Sequence, residues 1–130
     1  AGLLNVRLQH MQEITEERRQ LAERYGRELH CAGVILPEER ENTYAVWHQY
    51  VIRTDRRQEL IEYLNENGIG TIIHYPIPPH LSEAYRGLGH KKGDYPVTER
   101  YADTVLSIPM YTGMTGEEQQ YTIACMNQFE

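Results

Sequence analysis

The chain has 130 residues, 40% of them hydrophobic and 25% charged, with a net charge of −6 and a pI near 5.5. That length holds one domain with a single core. The acidic balance and the lack of any Lys/Arg stripe argue against a nucleic-acid partner, and no apolar run approaches the ~20 residues that cross a bilayer. Cys31 and Cys125 lie in apolar contexts. With no signal-peptide pattern, they read as two buried free thiols in a cytoplasmic protein rather than as a disulfide.

In chain order, residues 3–30 predict one long helix, from Leu4, Leu8, Met11, Leu21, Tyr25 and Leu29 at helical spacing. The run Glu16-Glu17-Arg18-Arg19-Gln20 reads as a solvated face. Ala1-Gly2-Leu3-Leu4 opens into the pattern without an N-cap, as a chain that begins inside an element does. The helix is expected to end near Cys31-Ala32-Gly33. A small α/β domain over residues 34–130 follows, opening on the short extended segment Val34-Ile35-Leu36-Pro37.

Tyr44–Arg53 predicts the clearest strand. Tyr44, Val46, His48, Tyr50 and Ile52 share one face, which makes His48 a hydrogen-bonded core histidine. Asp55 and Gln58 have the spacing of a capping box for a helix to about Asn67, with Leu60, Ile61 and Leu64 inward and Gly68 as the stop. Ile69–His74 predicts a second, central strand, and a βαβ unit if the two strands pair in parallel.

The stretch Gly68–His80 then stiffens into Tyr75-Pro76-Ile77-Pro78-Pro79. Proline fixes φ and keeps the preceding residue extended, so His74, Tyr75 and His80 are presented rigidly. Such loops carry binding groups, although a plain proline-stiffened connection fits the residue types equally. Leu81–Tyr85 predicts a helical turn and Arg86–Asp94 a loop. Pro96 suits the first position of a helix whose face is Val97, Tyr101 and Val105. Ser107–Met110 is a short extended piece. Thr115 and Glu118 form a second capping box for a last helix through Phe129, with Tyr121, Ala124, Cys125 and Gln128 on one side. The class is α+β, a small sheet covered by helices. His74, His80 and His90 lack metal-ligand spacing. The glycines near residue 90 match no phosphate-binding fingerprint, and no nucleophile motif is present.

Several short motifs in order carry a resemblance: Trp47-His48-Gln49-Tyr50-Val51-Ile52-Arg53, Gly68-Ile69-Gly70-Thr71, His74-Tyr75-Pro76-Ile77-Pro78-Pro79-His80, Gly93-Asp94-Tyr95-Pro96 and Leu106-Ser107-Ile108-Pro109-Met110-Tyr111. Together they resemble the C-terminal, small domain of the DegT/DnrJ/EryC1/StrS family, the pyridoxal-phosphate-dependent sugar aminotransferases. Glu17-Arg18-Arg19, Leu21-Ala22 and Tyr25 resemble the family's helix joining large and small domains.

The resemblance implies a fold-type I aminotransferase that moves an amino group from glutamate to a nucleotide-linked keto-sugar, as a homodimer. It implies substrate contacts at His74, Tyr75 and His80. It also implies a departure: the large PLP-binding domain and its Schiff-base lysine are not in this sequence, and Lys91 and Lys92 do not match that lysine's segment. Thr112 stands where a proline is common in relatives. The chain is therefore expected to hold no cofactor and to be inactive alone, with PLP belonging to the full-length enzyme. A separated small domain is expected to self-associate through its first helix. The alternative is a stand-alone binding or assembly module with the same ancestry.

Overall fold

The computed structural model describes residues 2–129. Among them the elements run α1 (Gly2–Gln9), α2 (Met11–Glu28), β1 (Val34–Ile35), β2 (Tyr50–Thr54), α3 (Arg57–Glu66), 3-10 turns at Pro79–Leu81 and Glu83–Leu88, α4 (Pro96–Thr104), β3 (Val105–Ile108) and α5 (Gly116–Asn127). The class is α+β, as expected. The sheet order is β1-β2-β3 and both pairings are antiparallel, with Val34 opposite Thr54 and Tyr50 opposite Ile108.

One buried cluster joins three helices to one face of the sheet: Leu21 and Tyr25 of α2, Leu60 and Leu64 of α3, Ile123 and Met126 of α5, against Ile52 and Leu106. Tyr25 is fully buried, tilts against Tyr50 at a ring separation of 5.0 Å, and donates its hydroxyl proton to the Pro109 carbonyl at 2.7 Å. Burial pushes the Tyr25 hydroxyl far above, and the Tyr50 hydroxyl up to about 12 from, the usual tyrosine value. Both phenols are therefore neutral at every physiological pH. On the opposite face Arg53 stacks over the Tyr101 ring of α4 at 4.7 Å.

Two local signals act as read. Thr115 caps α5: its hydroxyl accepts from the Glu118 N–H at 3.2 Å while Glu118 accepts from the Thr115 N–H at 2.8 Å. At the end of α3, Gly68 adopts φ +73. The Gly68 N–H donates to Asn65 at 3.0 Å and the Ile69 N–H to Leu64 at 2.8 Å. This is a Schellman closure, which turns the chain outward and seats Ile69 against the core.

Elsewhere the structure departs from the pattern. The single helix over 3–30 is two, split at His10, and α1 buries none of its residues, so Leu4 and Leu8 are exposed. The second helix stops at Glu28, not at Gly33, which instead turns the chain into β1 with φ +75. Arg18 and Arg19 are anchors rather than a solvated run. Arg18 donates to the Trp47 and His48 carbonyls at 3.2 and 2.8 Å, and Arg19 to the Ala45 carbonyl at 2.7 Å.

Those arginines satisfy backbone groups that a strand would have paired, and Trp47 sits at φ +48, so the strand begins at Tyr50 instead of Tyr44. His48 is consequently exposed, not a core residue. Asp55 caps nothing; the Thr54 hydroxyl accepts from the Arg56 N–H at 3.2 Å instead.

Ile69–His74 forms no strand and no parallel βαβ unit. A single antiparallel bridge joins Ile72 to Ser107. In α4 the buried residues are Ala102 and Thr104, while Val97 and Tyr101 are exposed. In α5 they are Gln119, Thr122, Ile123, Cys125 and Met126, and Tyr121 is exposed. Gln119 turns inward because its amide donates to the Leu21 carbonyl at 2.7 Å. Both cysteines are buried free thiols. No helix among the described residues is long and apolar enough to cross a membrane.

Thr115→Ala removes the cap of α5 and is expected to cost about 1 kcal/mol. Leu60→Ala opens a void in the fully buried cluster and is expected to cost roughly 2–5 kcal/mol. Urea unfolding of the three proteins at equal concentration checks both values.

Candidate functional site

The site is built where the chain leaves α3. From the Gly68 turn it crosses β3 once: the Ser107 N–H donates to Ile72 at 2.8 Å and the Ile72 N–H returns to Ser107 at 3.2 Å. Two residues later His74 emerges half-buried. Its Nδ1 lies 2.9 Å from the Ser107 hydroxyl and 3.1 Å from the Gln49 amide nitrogen. The His74–Tyr75 peptide bond is cis. The Tyr75 ring stands edge-on to the imidazole, 5.5 Å between centroids, and is 74% exposed. His74 and Tyr75 line an open cleft of about 500 Å³ with Tyr85, Pro79 and Tyr101. The walls are largely aromatic and apolar, with few polar groups aimed inward, the usual make-up of a ligand site.

His80 is placed differently. Its side chain is 8% exposed, and its Nε2–H donates to Glu99 of α4 at 3.0 Å. Glu99 also accepts from the Gly93 N–H at 2.8 Å and from the Tyr95 N–H at 3.3 Å. Burial opposes its charge. The Gly93 N–H, the His80 ring and the Tyr95 N–H outweigh that opposition and hold the Glu99 carboxyl below the usual carboxylate range. Tyr95 completes the cluster, its ring edge-on to His80 at 4.8 Å and near His90 at 5.3 Å. His80 lines a neighbouring cleft with Arg86 and His90, and the two clefts share Ile77. The fold thus brings His74 and Tyr75 together and sets His80 around the corner, as a post for the loop.

Gln49, Ser107 and Glu99 escaped the sequence reading. Ser107 is a lone hydroxyl inside the apolar run Leu106–Ile108, and Glu99 is an acid in the first turn of a helix begun by a proline. Both signals are visible in the sequence, but their partners are not. Among the described residues no group of three or more His, Cys, Asp or Glu converges as a metal site.

Comparison with known proteins identifies relatives of the chain as a whole. The profile of the DegT/DnrJ/EryC1/StrS aminotransferase family matches residues 1–127. A pleiotropic regulatory protein of Geobacillus stearothermophilus is 39% identical over 99% of the chain and 36% of its own length. The dTDP-3-amino-3,4,6-trideoxy-alpha-D-glucose transaminase of Streptomyces venezuelae is 40% identical over 85% of the chain and 29% of its own length. The crystal structure of S. venezuelae DesV, in complex with a ketimine intermediate, superposes with a TM-score of 0.93 at 35% identity, over 97% of the chain and 34% of that protein. A DegT DnrJ EryC1 StrS aminotransferase from Brucella abortus gives 0.82 at 30% identity, over 92% of the chain and 32% of that protein. The chain spans about a third of the length of the curated relatives it matches.

The Glu99 cluster predicts a pH dependence. A carboxyl held low in the fold contributes its full stability above the ordinary value of 4.5, and that contribution is lost as pH falls through the lower, folded value. The loss of thermal stability caused by Glu99→Gln, measured against the parent, is expected to shrink as the pH falls below about 4.5.

Proposed function

The chain belongs to the DegT/DnrJ/EryC1/StrS aminotransferase family, and from that premise we propose that it is the C-terminal, small domain of a cytoplasmic nucleotide-sugar aminotransferase. The observation that carries this reading is the family match along nearly the whole chain, joined to relatives named as dTDP-sugar transaminases. In this reading the domain contributes substrate contacts and subunit surface, while the amino transfer from glutamate is completed elsewhere in the full-length protein.

The substrate-facing residues are His74, Tyr75 and His80. Tyr75 offers an exposed ring face and a hydroxyl to the sugar or base. His74 offers Nε2, which makes no hydrogen bond among the described residues. His80 has its Nε2 taken by Glu99, so only Nδ1 remains for a ligand, and its main work is to hold the loop.

The family's cofactor is pyridoxal phosphate, held covalently by a lysine. Lys91 and Lys92 are both exposed on the loop before α4, and no lysine lines the His74 cleft among the described residues. The residues present do not fit that group. The cofactor is therefore assigned to the remainder of the enzyme, and no chemical step is assigned to this chain alone.

The apolar residues Leu3, Leu4, Val6 and Leu8 of α1 are all more than half exposed. In the isolated chain they form the surface through which it self-associates, and in the full-length enzyme they are covered.

Reading the gene upstream of Ala1 tests the assignment. A large domain with a Schiff-base lysine supports it, whereas a start codon adjoining Ala1 leaves a binding module. In the full-length enzyme, supplied with pyridoxal phosphate, glutamate and a dTDP-keto-sugar, His74→Ala is expected to raise KM roughly tenfold, the effect of ~1.4 kcal/mol of lost binding. Tyr75→Phe is expected to raise it less. Sedimentation of the isolated chain with Leu4→Glu and Leu8→Glu together is expected to show a lower mass than the parent.

A further inference from the structure

We propose that Gln49 and Ser107 are positioning residues that fix the tautomer of the neutral His74 ring, with its proton on Nε2, so that the ring meets its ligand as a hydrogen-bond donor. The donor role deepens the substrate-contact reading above and rests on it. The protonation pattern rests on geometry alone.

An amide nitrogen has two protons and no lone pair to offer, so the Gln49 Nε2 at 3.1 Å can only donate to Nδ1. Nδ1 must then carry a lone pair rather than a proton. The Ser107 hydroxyl at 2.9 Å rotates freely, and beside an unprotonated nitrogen it too becomes a donor. Two donors converge on one lone pair, and the single proton of the neutral ring is left on Nε2. In the neutral ring, the other tautomer would set an Nδ1–H against the Gln49 N–H.

Both partners are well fixed. Ser107 is 7% exposed within β3, and its backbone is tied to Ile72 on the same side as His74. Gln49 is half-buried beside the start of β2, where Arg18 pins the preceding carbonyls. Among the described residues none hydrogen-bonds Nε2, and the ring lines the cleft. A donor there accepts a phosphate, carbonyl or hydroxyl oxygen and repels an ammonium group.

Long-range proton–nitrogen correlation NMR of the full chain at neutral pH tests the pattern. The parent is expected to show an unprotonated Nδ1 and a protonated Nε2 on His74. Gln49→Glu replaces the donor by an acceptor and is expected to move the proton to Nδ1, with the His80 signals unchanged as a control for folding. A parent ring protonated at Nδ1 overturns the proposal, whatever the variant does. So does an unaltered His74 pattern in a folded Gln49→Glu. In the full-length enzyme Gln49→Glu is expected to raise KM for the keto-sugar nucleotide about tenfold while kcat holds. An unchanged KM beside the expected NMR pattern overturns the donor role toward substrate, and leaves the positioning pair standing.

Discussion

Two backbone hydrogen bonds between Ile72 and Ser107 decide where the site lies. Without them the segment after α3 has no partner in the sheet, since the side chain of Ile72 is exposed. With them, the chain is held at the edge of β3 two residues before His74, and the same Ser107 that makes the bridge supplies the hydroxyl for the imidazole. One residue thus fixes both the path of the loop and the direction of its first functional ring. The far end is fixed by His80 on Glu99. Between the two ends lie Pro76, Pro78 and Pro79, which leave little freedom to lose when a ligand binds.

The other wall of the site depends on α2. Its arginines take the carbonyls of Ala45, Trp47 and His48, and so keep residues 44–49 out of the sheet. That arrangement delivers Gln49 to His74. A continuous strand from Tyr44 would have put the same residues in a ladder, and Trp47 could not have adopted its positive φ. The helix therefore does more than cover the core: it aims a side chain of the site from a distance.

Much of this was legible in the sequence wherever the signal was local. The Thr115–Glu118 box, the Gly68 stop and Pro96 at a helix start all formed as read. The failures have different causes. Asp55 lost to a neighbour: the Thr54 hydroxyl accepts from the Arg56 N–H, and no side chain caps α3. The central strand at Ile69 shrank to one bridge with Ser107. The strand at Tyr44 was unmade from a distance, by Arg18 and Arg19 on the carbonyls of residues 45, 47 and 48. Gln119 shows the same effect in α5, where one long-range amide bond to Leu21 turns the buried face. The site partners Gln49, Ser107 and Glu99 were hidden for this reason: each is ordinary in its own segment and gains meaning only from a partner 19–33 residues away.

The family accounts for the shape of the chain, and the account of the site rests on the loop being held by the domain's own groups before any ligand arrives. Hydrogen exchange of the backbone amides, followed residue by residue in the ligand-free chain, tests that claim most directly. The account predicts slow exchange at Ile72 and Ser107, comparable to the β2–β3 ladder, despite the exposed side chain of Ile72. Exchange at Ile72 as fast as at the exposed Gly87 would contradict it, because the loop would then be free and His74 would have no fixed direction.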